Sequence, residues 1–253
     1  MIKNYQAMVD HFSKILYFAI FTLTIFLVII FNPVYASETT RYDTISITKS
    51  FQLDKVIFDG KWSFGTEWKA SSLDTLTYDD GTKIILRTAH QDEFIYVHLD
   101  VTSDITPARG SDNTLVCIDG QNNKSKIPDT NDYCFSLSLF RNHVFTYQGG
   151  GSFGFNGNFV KISNPEGLII ISNITDQQNR YSKVTHSSYE FRIPLSIVEF
   201  SNTYGFYVSV FDSNKHKIYS WPYDVERKHL LYIPSPSLWG ELVSPDNSIK
   251  KLS

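Results

Sequence analysis

The chain has little of what cofactor proteins and most enzymes need. Its 253 residues include two cysteines, Cys117 and Cys134, and two methionines, Met1 and Met8. Cysteines that far apart do not form a zinc-ligand pattern. HExxH is absent, and the six histidines beyond residue 36 are scattered, with no close pair. The glycine-rich stretch Gln148-Gly149-Gly150-Gly151-Ser152-Phe153-Gly154 carries two motifs that fail on context. Gly149, Gly151 and Gly154 match GxGxxG, while Gly150, Ser152 and Gly154 match GxSxG. Both need a strand, a turn and then a helix. Residues 155–163 are instead glycine-broken and then strand-like, so the stretch reads as a β loop or bulge. No lysine completes a P-loop. Charge is also sparse, at 19% of residues and a net of -3, with no basic stripe. That excludes nucleic acid as an expected partner.

Aromatic residues, in contrast, are abundant: 15 Tyr, 19 Phe and 4 Trp. Such side chains suit pleated, half-buried surfaces. The chain opens with Lys3 and Lys14 ahead of an uncharged apolar run over 15–31, then Val34-Tyr35-Ala36. Basic residues, an apolar run and a small-residue site read as an export signal cut before Ser37. The run is also just long enough to span a bilayer, so an uncleaved anchor is the alternative. Either way the body is exported, to the extracellular space or the cell surface, and the membrane is met only through this segment. Setting residues 1–36 aside leaves about 215, a usual size for one all-β domain.

Export permits a disulfide. Cys117 and Cys134 each sit in a strand-like run, with a polar, turn-rich segment between. Adjacent antiparallel strands joined by a long loop would bring them together, and a bridge there would contribute about 3 kcal/mol. Two buried thiols are the alternative. Residues 94–101 give the clearest strand: Ile95, Val97, Leu99 and Val101 share one face, and Tyr96, His98 and Asp100 the other. With 83–88 they form an expected hairpin around His90-Gln91-Asp92-Glu93. A first strand is expected within 44–51, after a tether from 37. Further strands are expected over 115–119, 134–140, 143–148, 159–163, 168–172, 188–193, 204–211, 217–221 and 238–243. One short helix is expected at 194–200, started by Pro194. Many short strands separated by turn signals predict a two-sheet β-sandwich, as one domain over 51–247 with a tail over 248–253.

Several of these pieces resemble the family 9 carbohydrate-binding modules and their DOMON-like relatives. They are Phe58-Asp59-Gly60, Glu67-Trp68-Lys69-Ala70, the hairpin ending at Asp104, and Asp112 leading into LVCID. Later pieces are Tyr189-Glu190-Phe191-Arg192-Ile193-Pro194 and Trp239-Gly240. The resemblance implies a sandwich of jelly-roll or immunoglobulin-like form that binds sugars by aromatic stacking, and that sometimes holds calcium. A haem-binding branch of ethylbenzene dehydrogenase type resembles the hairpin too. Its usual methionine ligand is missing, since Met1 and Met8 lie in the export segment.

The expected function is therefore non-catalytic binding of carbohydrate or another cell-surface ligand. A haem or redox accessory domain and a structural surface protein are the alternatives. Trp68 and Trp239 read as core. Trp62, in a turn-rich loop, and Trp221 with Tyr223, at a strand end, are the expected ligand-binding aromatics. Asp100, Asp104 and Asp112, with Asp119 nearby, are the candidate calcium ligands by oxygen type, and no other cofactor is expected. Asn123-Lys124-Ser125 and Asn173-Ile174-Thr175 are glycosylation sequons.

Overall fold

The computed structural model describes residues 43–250 except 64, 142, 153 and 155, and only the backbone of Asp54. The expected export signal over residues 1–36 and its expected cleavage site lie outside the described residues. Within them, no helix is long and apolar enough to cross a membrane.

The strands, in chain order, are β1 (Thr44–Ser46), β2 (Thr48–Lys49), β3 (Asp74–Thr77), β4 (Lys83–Gln91), β5 (Phe94–Asp100), β6 (Asn113–Asp119) and β7 (Asp132–Ser138). Then come β8 (Phe145–Gln148), β9 (Val160–Ile162), β10 (Ile169–Ile174), β11 (Ser187–Pro194), β12 (Thr203–Asp212), β13 (Lys217–Trp221) and β14 (Gly240–Val243). A single helical turn, α1 (Leu195–Val198), comes directly after Pro194. The eight-stranded sheet runs β1-β14-β12-β6-β7-β8-β9, with β13 also on β12. The six-stranded sheet runs β10-β11-β5-β4-β2, with β3 also on β4. This is the all-β, two-sheet sandwich that the alternating patterns predict.

The core arises from period-two patterning. Ile95, Val97 and Leu99 of β5 point inward with Tyr189, Phe191 and Ile193 of β11. Tyr204, Phe206, Val208 and Val210 of β12 meet them from the other sheet. Burying apolar faces of two sheets against each other is what holds such layers together.

Two features depart from expectation. The strand expected within 44–51 changes sheets midway. β1 pairs in parallel with β14, and β2 pairs in parallel with β4. Ile45 and Ile47 stay buried throughout, and Ile47 donates its N–H to Val243 O at 2.8 Å. Both sheets also have covered outer faces, where an antiparallel sandwich commonly leaves one face to water. Residues 51–72 lay Leu53, Val56, Trp62 and Trp68 over Ala89 and Tyr96 on the six-stranded sheet. Residues 222–239 lay Val225, Ile233 and Trp239 over Leu115, Tyr207 and the cysteines on the eight-stranded sheet.

Candidate functional site

The outer face of the eight-stranded sheet is built from three cross-strand rungs. The first is Phe211–Asn113–Ser138, the second Ser209–Leu115–Ser136–Phe145, and the third Tyr207–Cys117–Cys134–Tyr147–Lys161. Directly opposite positions on neighbouring strands present their side chains side by side on one face. Cys117 and Cys134 face each other in the third rung and are joined as a disulfide. The expected bridge is therefore present, and Cys134 stands beside Tyr147 across β7 and β8.

Above these rungs lies a cavity of about 470 Å³. Phe145, Tyr147 and Phe211 are half-buried around it. Between them Asn113, Ser136 and Ser138 supply amide and hydroxyl groups. The side chains are small and leave room above the sheet. Leu230, Leu231 and Ile233 from the 222–239 segment close one side. Arg227 reaches across from that segment and donates Nη1–H to Ser209 Oγ at 3.2 Å. Burial lowers its pKa to about 10, which leaves it fully protonated at neutral pH. Burial raises the Tyr147 hydroxyl, against the pull of Arg227. Lys161 is exposed, and its Nζ stands 4.2 Å from the centroid of the Phe145 ring. A few fixed polar groups among aromatic rings in a concavity are the general features of small-molecule sites.

The aromatics expected to bind ligand are not among these. Trp221 is 4% exposed and lies in the sandwich core against Phe206. Gly240 covers it so closely that a Cβ there would stand 2.4 Å from the ring. No face remains for a sugar. Trp62 is also 4% exposed, edge-on to Tyr181 and beneath the guanidinium groups of Arg87 and Arg180. It anchors a loop. Both expectations are corrected by burial: a following proline and a turn-rich neighbourhood do not put a ring at the surface. Tyr223 is 48% exposed and stands edge-on to Tyr78. It faces a separate, more open cavity of about 430 Å³ with Lys217 and Tyr219. Trp68 and Trp239 are fully buried. Trp239 stacks between Phe159 and Tyr207 and donates its indole N–H to Pro234 O at 3.1 Å.

The calcium candidates do not fit an ion. Asp100 spends one oxygen on His186 and the other on Asn179. Asp112 spends its oxygens on Ala108 N–H and on Ser213. Asp104 accepts from Ser187 Oγ at 2.9 Å, and burial, with Asp112 and Asp212 near, raises its pKa to about 6. Among the described residues no set of three or more His, Cys, Asp and Glu side chains is grouped to hold a metal. Six to eight converging oxygens, which calcium requires, are not assembled at these residues.

The outward side chains of β4, β5 and β11 form a buried polar network beneath the 51–72 segment. Glu190 accepts hydrogen bonds from Gly60 N–H (2.8 Å), Asp59 N–H (3.1 Å) and the Trp68 indole (2.8 Å). Glu67 accepts from Ile57 N–H and Ser63 N–H, both at 2.7 Å. Arg87 Nη1 donates to Trp68 O and Ser71 O, each at 3.1 Å. The Phe-Asp-Gly, Glu-Trp and Tyr-Glu-Phe pieces of the sequence thus meet here as loop anchors. His98 stacks on Trp68 at 5.1 Å, and burial lowers its pKa to about 4, so it is neutral.

Nearby, Thr175, His186 and Asp100 are strung as hydroxyl, imidazole and carboxylate, the order of a proton relay. His186 Nε2 lies 2.7 Å from Asp100, and Nδ1 lies 3.0 Å from Thr175 Oγ1 and 2.8 Å from Val184 O. A carbonyl accepts only, so Nδ1 carries a proton and has no lone pair with which to activate Thr175. All three side chains are buried as well. This is an ion pair that ties β5 to the 175–186 segment, with no base function. The sequon at Asn173 is likewise taken up by packing, since its side-chain amide donates to Asp59 O and Thr175 is buried.

No protein-family model matches the chain, and no curated protein matches it. Solved structures do. One is a family 9 carbohydrate-binding module from Caldicellulosiruptor kristjanssonii in complex with cellotriose. It has a TM-score of 0.52 and 14% identity, over 83% of this chain and 100% of that chain. This chain shares its fold. A second structure, a family 9 module from the same organism in complex with glucose, gives a TM-score of 0.48 at 14% identity, over 83% of this chain and 97% of that chain. The fold expected from the family 9 resemblance is thus the fold observed. The platform of Phe145, Tyr147 and Phe211 was missed in the sequence. Its signal lies in the outward positions of β7 and β8, where Cys134, Ser136 and Ser138 run beside Phe145 and Tyr147.

Proposed function

We propose that this chain is an exported, non-catalytic carbohydrate-binding module whose ligand lies on the outer face of the eight-stranded sheet. The observation that carries this is the trio Phe145, Tyr147 and Phe211, partly open around small polar side chains. Sugar rings present C–H faces that pack on aromatic rings and hydroxyls that pair with amides and hydroxyls. The solved module of this fold was determined with cellotriose bound, which supports the ligand class. The basic, apolar and small-residue order of residues 1–36 supports export, and the disulfide suits an oxidising compartment. An uncleaved segment would hold the module at the cell surface.

The test is a glycan array followed by calorimetric titration of the best ligand. Phe211→Ala and Phe145→Ala should each weaken binding about tenfold, roughly 1.4 kcal/mol, with an unchanged melting temperature. Unchanged affinity in both, with loss in Tyr223→Ala, would move the site to the cavity beside Tyr78.

A further inference from the structure

Among the described residues, the platform cavity contains a charge without a counter-ion. Arg227 is 5% exposed and donates to Tyr232 O at 3.1 Å, to Ser209 Oγ at 3.2 Å and to Leu230 O. Those bonds use three of the five N–H donors of a guanidinium, and every acceptor is neutral. Among the described residues, no carboxylate forms an ion pair with Arg227, and no residue lining the cavity is acidic. A guanidinium does not shed its proton to escape burial, and a buried unpaired charge is costly. At the other end of the rungs Lys161 adds a second cation, directly opposite Tyr147 and over Phe145.

We propose that this cavity takes an anionic saccharide, with a carboxylate or sulfate group of the sugar serving as the counter-ion that Arg227 lacks. The inference rests on the carbohydrate reading of the platform and narrows its ligand class. A planar fork of donors matches the two oxygens of such a group. A neutral sugar settling over the rings would shut water out and leave the charge unpaired. The same cation therefore selects for acidic ligands and against their neutral counterparts.

The test uses the full chain on an array of oligosaccharide pairs that differ only in a uronate or a sulfate, on gluco- and galacto-backbones. The best pair is then titrated at low and high NaCl. The acidic member should bind at least tenfold more tightly, and the preference should shrink as salt rises. Lys161→Gln should reduce it a few-fold with the melting temperature unchanged. Arg227→Gln should abolish it. Should that variant fail to fold, the wild-type pair comparison and Lys161→Gln decide. Preference for uronate over sulfate, or the reverse, supports the proposal and identifies the group. Equal binding of acidic and neutral members, or retention of neutral glycans alone, overturns this inference and leaves carbohydrate binding intact. Acidic preference that survives undiminished in Arg227→Gln overturns it by placing the charge selection elsewhere. Retention of no glycan of either kind overturns both readings.

Discussion

Trp68 donates its indole N–H to Glu190 at 2.8 Å, across 122 positions of sequence. The same carboxylate takes the N–H groups of Asp59 and Gly60. One side chain on β11 thus ties down two separate points, Asp59-Gly60 and Trp68, of the segment covering the six-stranded sheet. Glu190→Ala would strand three buried donors. The expected cost is about 3–5 kcal/mol, with Glu190→Gln costing less because an amide oxygen still accepts. Urea unfolding of both variants checks this, and a melting curve unchanged by Glu190→Ala would contradict it.

Trp221 is a stability residue. Its ring is packed between Phe206 and Gly240 inside the sandwich. Trp221→Ala should cost about 3–5 kcal/mol by opening a cavity, and should leave ligand affinity unchanged in whatever fraction remains folded. Denaturant midpoints alongside a binding titration separate the two effects. Loss of affinity at constant stability would show that the ring reaches the ligand after all.

Reduction of Cys117–Cys134 should lower stability by about 3 kcal/mol, or roughly 6–12 °C in melting temperature for a domain of this size. Because Cys134 is the cross-strand neighbour of Tyr147, saccharide affinity should fall with it. Differential scanning calorimetry with and without reductant reads the first effect. Superimposable traces would mean that the bridge does not constrain the chain.

The Asp100–His186 pair gives the fold a pH signature. Burial alone would pull His186 down, but the Asp100 hydrogen bond and charge outweigh it and raise the His186 pKa. Burial works against Asp100 too, yet His186 and its other partners lower its pKa. A raised histidine contributes stability fully below its unfolded value of 6.5, and loses it as pH rises through the folded value. A lowered carboxylate contributes above 3.8 and loses that as pH falls through its folded value. The pair therefore stabilises most between about pH 4 and 6.5. Neutral His98 works in the opposite sense, costing stability as pH drops below 6.5. The comparison must therefore be between wild type and His186→Gln. Their stability gap should be widest near pH 5, about 3–5 kcal/mol, and should narrow above pH 6.5. A gap that is constant from pH 5 to 9 would mean that His186 is neutral in the fold.

Much of this architecture is legible in the chain. The alternation at 94–101 yields β5 and its inward face, and the two cysteine-bearing runs yield β6 and β7 as bonded neighbours. Other parts depend on what lies above a strand, which alternation does not encode. Tyr96, His98 and Asp100 have the polarity of a wet face, yet all three are buried because residues 51–72 and 175–186 fold back over them. β3 is short and polar, and only its pairing with β4 defines it. Trp62 and Trp221 sit near turns, where backbone signals are strong and side-chain direction is open. The platform was illegible for the converse reason. Phe145 and Tyr147 look like ordinary strand aromatics, and only the cross-strand register shows that they share a face with Phe211 and three small polar residues.

β1 and β2 are consecutive segments of one extended run, yet they are bonded to different sheets. Force applied to the chain ahead of Thr44 would have to rupture hydrogen bonds to both layers before the sandwich could open. The same short run clamps the layers against sliding. A shortened version of the protein starting after Lys49 would lose an edge strand from each sheet at once.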